Sequence, residues 1–337
     1  MSDPTNRPID EADTSRGIES LPAGSPPFVH RPVMLQEVRD LFAPVPAGFI
    51  VDATVGGAGH ATALLDTHPQ VRLIGLDQDT MALDAARGRL AHHGERAVLR
   101  HARFDALGAV VANLGLTGLS GVLFDLGVSS PQLDRTERGF SYHGDAPLDM
   151  RMDQSRAQTA ADVVNNYSAD RLAGVLSDLG DERFHRVIAR AIVAARPIET
   201  TGHLVDVVLG SLPARARKGR HPARRTFQAI RIEVNDELAI LGTAIDQAID
   251  LLVPGGRCVV LAYHSGEDRI VKECFRIAET GGCECPPRLP CGCGAVAKVR
   301  LLHRGGRRPG AEELEHNPRS ESARLRAVER IEPGASR

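Results

Sequence analysis

The segment 121–134 constrains the fold more than any other part of the chain. It reads Gly-Val-Leu-Phe-Asp-Leu-Gly-Val-Ser-Ser-Pro-Gln-Leu-Asp, so an apolar run ends in the acid Asp125 and then breaks into a turn of small and polar residues. Such an apolar run is typical of a buried parallel strand. Open α/β sheets bind ligands beyond the carboxyl ends of their strands. The segment therefore predicts a ligand site after this strand or, more simply, an ordinary strand-to-helix turn with a helix cap.

A second strand and turn upstream favours the ligand site. Residues 49–62 contain a short apolar strand that ends at Asp52, a glycine-rich turn over 56–59, and a helix that begins near His60. Glycines and a helix start both offer backbone N–H groups to a ligand. The next strand ends in Asp77, about twenty residues after the turn, which is the spacing that places a carboxylate on ribose hydroxyls. Together these features predict an adenosine-containing cofactor.

The residues around the glycine-rich turn discriminate between cofactors. A dinucleotide fingerprint requires a third glycine three residues after Gly59, where this chain has Thr62, and no phosphate-binding lysine follows as in a P-loop. Asp52 would repel a pyrophosphate, whereas it suits a ligand with a sulfonium and an amino group. The turn therefore favours S-adenosylmethionine over a nicotinamide dinucleotide.

Composition limits the overall organisation. The 337 residues suffice for one large α/β domain with an insertion, or for two domains. Residues 1–29 hold five acidic and two basic residues without the apolar core of a signal peptide, so we expect a disordered tail there. No apolar stretch approaches the length of a membrane-spanning helix. The net charge of −2 does not indicate a nucleic-acid partner, so any basic surface must be local.

One local basic run exists between residues 215 and 225. It contains Arg215, Arg217, Lys218, Arg220, Arg224 and Arg225. Gly219 and Pro222 interrupt the run, so it predicts a loop that either contacts several phosphates or is simply solvated. With no Trp, three Tyr and nine Phe, the chain has few rings for a broad base-stacking surface.

The pattern after the basic run is helical. Apolar residues recur at three- and four-residue steps from Phe227 to Leu252, which predicts one amphipathic helix that begins near Thr226 and is stopped by residues 254–256. A further buried strand over 257–262 and a polar turn follow. Helical segments are expected at about 168–179, 182–196 and 202–212. We therefore predict an α/β sheet with a helical domain inserted between two of its strands.

Several segments together resemble the MraW-type family, the small-subunit ribosomal RNA cytosine-N4 methyltransferases. The likeness runs from His30 to about Arg330. It is carried by residues 125–134, 138–142, 147–153, 221–231, 264–265, 267–272 and 317–320. The chain departs from the family at Tyr263 and Gly266, where members commonly have Phe and Leu, and the glycine turn varies at Gly57 and Ala58.

The resemblance implies a class I (Rossmann-like) methyltransferase sheet built from residues 30–135 and 241–330. Residues 136–240 would form the inserted helical substrate-recognition domain. The implied activity is methylation of the N4 exocyclic amine of a cytidine, with S-adenosylmethionine as methyl donor. The implied substrate is the decoding region of 16S ribosomal RNA within the small ribosomal subunit, and the implied location is the cytoplasm, with no membrane partner.

The resemblance also implies site residues. The cofactor contacts it implies are Ala58, Gly59, His60, Asp77, Phe104, Asp125 and Gln132. Phe104 and Gln132 rest on the resemblance alone, and core packing is the simpler interpretation of Phe104. For the amine protons we favour Asp125 and Ser130 as acceptors, with Ser129 or a turn carbonyl as alternatives. Arg224 and Arg225 are expected to bind RNA phosphates.

The cysteines form a separate pattern. Cys283, Cys285, Cys291 and Cys293 make a C-x-C-x5-C-x-C cluster. Four close thiols in a cytosolic chain favour a metal over disulfides, yet the spacing is tighter than the usual C-x2-C of zinc knuckles. The cluster is either a zinc site or a set of reduced, redox-sensitive thiols, and no metal is assigned to the reaction.

Two other functions compete with this prediction. One is an amino-methyltransferase that acts on DNA. The other is a ribosome-assembly factor that binds RNA and cofactor but whose catalysis is dispensable. The oligomeric state stays open, with a homodimer among the alternatives.

Overall fold

The computed structural model describes residues 32–129, 132, 135–217, 221–286 and 292–332. Within them, seven strands form one sheet in the order β3-β2-β1-β4-β5-β7-β6. The strands are β1 (Gly48–Asp52), β2 (Val71–Asp77), β3 (Ala97–His101), β4 (Leu119–Asp125), β5 (Leu252–Ala262), β6 (Val299–Leu301) and β7 (Arg324–Arg330). Strands β1 to β5 are parallel, and β7 runs antiparallel to both of its neighbours. The predicted Rossmann-like α/β sheet is confirmed.

The described residues also form twelve α-helices. Those that flank the sheet are α1 (Leu35–Phe42), α2 (Gly59–Thr67), α3 (Thr80–Leu90), α4 (Leu107–Asn113), α10 (Glu237–Leu251), α11 (Ser265–Thr280) and α12 (Ala311–His316). Those between β4 and α10 are α5 (Ala160–Asn166), α6 (Ala169–Asp178), α7 (His185–Ala194), α8 (Thr201–Ser211) and α9 (Arg224–Asn235). Among the described helices, none combines the length and the hydropathy needed to cross a bilayer.

The strand order reverses between β1 and β4, and this reversal fixes where a ligand can bind. From β1 the chain proceeds outward through β2 to β3, then returns to pair β4 with the other side of β1. Asp52 is level with Leu123, so β1 ends at Asp52 and β4 continues two residues further to Asp125 at the same edge of the sheet. The crevice beyond such a reversal is the binding position of open α/β sheets.

Apolar side chains cover both faces of the sheet. On one face, Val122 and Val260 pack in a core with Phe275 of α11. On the other, Leu123 packs with Phe42 of α1. Full burial of these strands explains why their sequences are continuously apolar rather than alternating.

The helices between β4 and β5 have an apolar core of their own. Leu172, Ile188, Leu204 and Phe227 are buried together there, with no more than 3% of any of these residues exposed. The three helical segments predicted before the basic run are confirmed as α6, α7 and α8, whereas α5 was not predicted. Of the described residues between β4 and β5, none lies in a strand.

The prediction of one helix from Thr226 to Leu252 is wrong. Helix α9 begins at Arg224 and ends at Asn235, and α10 begins at Glu237. Between them Asp236 has the left-handed φ of 54°, which interrupts the helical hydrogen bonds. Its carboxylate pairs with the guanidinium groups of Arg156 and Arg103, which holds the break in place.

The segment Pro254-Gly255-Gly256 was predicted as a helix stop, and α10 does end before it, at Leu251. The same three residues are, however, part of β5, which begins at Leu252. Gly255 has a φ of 78°, and the pairing of β5 with β4 shifts register between Leu119 and Gly121. A glycine is needed for this irregular strand start.

Candidate active site

The turn between β1 and α2 is the first component of the site. Ala58 has a φ of 59° and precedes α2, and Gly56 has a φ of 48°. A side chain at Gly59 would place its Cβ 2.4 Å from Pro32 Cγ, so this position requires glycine. The predicted cofactor residues Ala58, Gly59 and His60 all lie on this turn and the first residues of α2.

Asp77 holds the turn from β2. Its Oδ2 accepts a hydrogen bond from the Gly56 amide at 2.9 Å, and its Oδ1 accepts one from the Asp79 amide at 2.9 Å. Burial raises the pKa of the Asp77 carboxyl to about 6. A carboxylate has about four lone-pair positions, so each Asp77 oxygen can still accept a hydrogen bond from a ligand hydroxyl.

Asp52, His60 and Asp125 come together beside the turn. Asp52 is 2% exposed, and burial raises its pKa to about 7 although His60 opposes the shift. His60 Nε2 lies 3.5 Å from Asp125 Oδ2. Among the described residues, neither ring nitrogen of His60 has a hydrogen-bond partner. Buried polar atoms without a partner are uncommon in proteins, so this position is a candidate ligand site.

Tyr263 fixes the other side of Asp125. The Tyr263 hydroxyl donates a hydrogen bond to Asp125 Oδ1 at 2.6 Å, and the Thr54 hydroxyl accepts one from the Asp125 amide at 2.7 Å. Burial, followed by the charge of Asp125, raises the pKa of Tyr263 well above its usual value, so the phenol stays a proton donor. In the sequence, Tyr263 stands out only as a departure from the family. Its position after β5, the sheet neighbour of β4, was the signal that it would reach Asp125.

Gln132 lies in a buried network beside this site. Its Nε2 donates to Asp79 Oδ2 at 3.1 Å, and its Oε1 accepts from the Ser129 amide at 3.0 Å. Asp79 also pairs with Arg138 at 3.0 Å, and both of these side chains are 4% exposed. This network ties the segment after β4 to the start of α3. Ser130, predicted to accept amine protons, lies outside the described residues.

Phe104 follows β3 and belongs to the core of the sheet. Its ring meets Phe124 edge-on, with the ring centres 6.0 Å apart. It is 8% exposed. Core packing therefore accounts for the contacts of Phe104 in this structure. These contacts place Phe104 next to Phe124, the residue before Asp125.

Arg224 and Arg225 begin α9, at the edge of the helical segment. Arg224 is half-buried and donates to the Ser322 hydroxyl at 3.3 Å, whereas Arg225 is exposed and donates to the Asp181 carbonyl at 3.1 Å. The Asp181 carboxylate in turn accepts a hydrogen bond from Ser265, two residues after Tyr263. Arg225 is thus connected through Asp181 to Ser265, near the Asp125 side of the sheet edge. Lys218 and Arg220 lie outside the described residues.

Comparisons with known proteins agree with this arrangement. The chain matches the model of the MraW methylase family over residues 27–331. It is 49% identical over 311 residues to "Ribosomal RNA small subunit methyltransferase H" of Heliobacterium modesticaldum, which covers 90% of this chain and 99% of that protein. The protein of the same name from Symbiobacterium thermophilum is 50% identical over 314 residues, with 91% and 98% covered. That from Thermobifida fusca is 50% identical over 315 residues, with 91% and 95% covered.

The family match spans both the sheet with its strand-end carboxylates and the helices between β4 and β5. Relatives that are about half identical extend over the same length. The chain therefore belongs to the MraW methylase family.

Proposed function

We propose that this protein methylates the N4 exocyclic amine of a cytidine in the decoding region of 16S ribosomal RNA within the small ribosomal subunit. S-adenosylmethionine is the methyl donor. The observation that carries the proposal is the buried group of Asp52, His60, Asp125 and Tyr263 beside a glycine turn, in a chain whose relatives bear the name "Ribosomal RNA small subunit methyltransferase H". Because the proposed substrate is ribosomal RNA, we infer that the protein acts in the cytoplasm.

The site has the donor and acceptor groups that this cofactor needs. Burial raises the pKa of the Asp52 carboxyl to about 7, because His60 and the Thr54 amide do not fully offset the loss of hydration. A ligand with a positive sulfonium and an amino group supplies the missing compensation. Asp77 has lone pairs left for ribose hydroxyls, and the turn from Gly56 to Gly59 brings backbone close to the ligand. We propose that the Phe104 ring lies beside the adenine of the cofactor and that Gln132 lines the same pocket.

S-adenosylmethionine, when bound, supplies a methyl group on a positively charged sulfur. The cytosine amine is a poor nucleophile because its lone pair is delocalised into the ring. Residues that orient the amine and accept hydrogen bonds from its protons favour the pyramidal nitrogen that attacks, and such orientation contributes a large part of the rate enhancement. We assign this role to Asp125 and to Ser130.

The geometry explains how Asp125 would act. Tyr263 occupies Oδ1 through a hydrogen bond of 2.6 Å, which fixes the orientation of the carboxylate. Oδ2 faces His60 without a hydrogen bond among the described residues. This oxygen can accept an amine proton, and general acid–base assistance of this kind contributes about 10²–10⁴-fold in rate. Tyr263 is then a positioning residue.

The RNA is held by the helical segment. Arg224 and Arg225 project from the start of α9, next to the Asp181–Ser265 contact that leads to Tyr263. Close by, the rings of Tyr142 and His221 stack with centres 4.5 Å apart. We propose that the two guanidinium groups contact phosphates on either side of the target nucleotide.

The decisive experiment is transfer of a labelled methyl group to unmodified small ribosomal subunits, followed by mass spectrometry of the nucleosides. We expect N4-methylated cytidine. Equal or better transfer to duplex DNA would favour the DNA enzyme. No transfer from a protein that binds the cofactor would favour the assembly factor, as would rescue of a deletion strain by an inactive variant.

A further inference from the structure

Three cysteine thiols lie close together at the end of α11, away from the methylation site. The Sγ atoms of Cys283, Cys285 and Cys293 all lie within 4.8 Å of one another. Cys283 and Cys285 are half-buried, and Cys293 is exposed. Helix α11 has 16 residues and begins beside Tyr263, so its two ends are about 24 Å apart. The thiols therefore take no direct part in methyl transfer.

The spacing of the three sulfurs fits a shared metal ion. Thiolates bound to tetrahedral zinc lie about 2.3 Å from the metal, which places neighbouring sulfurs roughly 3.8 Å apart. The three sulfurs lie within 4.8 Å of one another, so small side-chain rotations suffice to bring them to one metal ion. Three thiolates fill three of the four positions of tetrahedral zinc, which leaves one position for a further ligand. The short C-x-C spacing in the sequence does not prevent this convergence.

The described backbone on both sides of the cluster lies against the end of α11. Gly281 has a φ of 63° and lies so close to Val296 that a Cβ would be 2.4 Å from the Val296 carbonyl oxygen. The Lys298 amide donates to the Ala278 carbonyl at 2.8 Å, and the Cys283 amide donates to the Thr280 carbonyl at 3.2 Å. Both ends of the segment between α11 and β6 are therefore held against the helix end, which reduces the entropy cost of bringing the cysteines to one metal.

We propose that Cys283, Cys285 and Cys293 bind one Zn²⁺ as thiolates and that the metal fastens Cys293 to the end of α11. The role is structural, because the site lies at the far end of α11 from Asp125. Cys291 lies outside the described residues. The proposal is independent of the proposed RNA methylation.

The test measures metal in the full-length protein purified under reducing conditions without chelators. We expect about one zinc per chain in the wild type, as in other thiolate zinc sites. The variant Cys283→Ser with Cys285→Ser should lose the zinc. The matched control Cys274→Ser alters a partly buried cysteine of α11 outside the cluster and should keep it.

Cobalt provides a readout that does not depend on the variants. Titration of metal-free wild type with Co²⁺ should produce sulfur-to-cobalt charge-transfer bands that saturate at one equivalent and disappear when Zn²⁺ is added. Wild-type protein that holds no zinc after incubation with one equivalent and desalting, and that gives no such bands, would overturn the proposal. Equal zinc in the double variant and the wild type would overturn it as well.

Discussion

Two buried groups of charged side chains meet at Tyr263 and differ in how completely they are paired. In the first, Arg231 donates from two nitrogens to the two carboxylate oxygens of Glu237, at 2.8 and 2.9 Å, and Glu267 accepts from the Tyr263 amide at 2.7 Å. In the second group, the Tyr263 hydroxyl donates a hydrogen bond to Asp125. Beside Asp125 lie Asp52, whose pKa is raised, and His60, whose ring nitrogens have no hydrogen-bond partner among the described residues.

The comparison separates two uses of buried charge. Charges that satisfy one another hold segments of the chain together, and removing one partner leaves the other uncompensated. Charges left without partners in a crevice are typical of a ligand site. We therefore expect changes in the first group to act on stability and changes in the second to act on methyl transfer. The following experiments test this division.

The largest effect is expected from Asp125→Asn. The amide keeps the size of the side chain but loses the negative acceptor for an amine proton, so methyl transfer to small ribosomal subunits should fall about 10²–10⁴-fold. The measurement is single-turnover transfer with saturating S-adenosylmethionine. Asp250→Asn, which removes a surface carboxylate paired with Lys298, is the control and should retain activity. Near-normal turnover of Asp125→Asn would exclude the assigned role.

Substitutions in the paired group of Arg231, Glu237 and Glu267 should change the stability of the protein. Arg231→Leu leaves Glu237 buried without its partner and should lower the free energy of unfolding by about 3–5 kcal/mol. Adding Glu237→Leu should recover most of that loss, because two apolar side chains then replace the ion pair. Urea unfolding of the two variants provides the measurement. A loss from Arg231→Leu no larger than that from Asp250→Asn would contradict the interpretation of this group as structural.

The incompletely paired group of Asp52, His60 and Asp125 should make the cofactor-free protein less stable as pH rises. The pKa of Asp52 is raised from 3.8 to about 7, so between these values the native protein retains a proton that the unfolded chain has lost. Stability therefore decreases as pH rises through that window. Urea midpoints at about pH 5.5 and about pH 7.5 should differ in this direction, and Asp52→Asn should reduce the difference. An unchanged difference in the variant would assign it to other groups.

The smallest effect is expected from Arg224 and Arg225, which belong to neither group. Arg224→Ala with Arg225→Ala should weaken RNA binding and reduce the salt slope of the affinity by about 2, one for each phosphate contact. Cofactor binding should be unaffected. Arg87→Ala, an exposed arginine on α3, serves as the control. If the double variant has the wild-type slope, the RNA contacts lie elsewhere.

Local sequence patterns predicted the sheet edge well. The strands before Asp52, Asp77 and Asp125 are short apolar runs followed by turn residues, and these signals depend only on near neighbours in the chain. The parallel arrangement then places their ends together. The helices of the inserted segment were predicted for the same reason, except that α5 has too few residues for a clear period.

Contacts between distant residues were not predictable in this way. The hydrogen bond between Tyr263 and Asp125 joins residues 138 apart in sequence, and the Arg138–Asp79 pair depends on how the segment after β4 folds back. The break at Asp236 was missed because the apolar period continues through it. Arg156 and Arg103 stabilise the break from outside the helix, and nothing in the local sequence reports their presence.

The connection between β4 and β5 has a consequence for how this architecture can diversify. These two strands are direct neighbours, paired from Asp125 with Leu261 back to Gly121 with Arg257. Everything between them therefore leaves and re-enters the sheet at adjacent positions, and the cost of closing a loop rises only slowly with its length. If the helical segment holds the RNA, as we propose, its replacement would change the target that is recognised while the register of β4 with β5 stays the same.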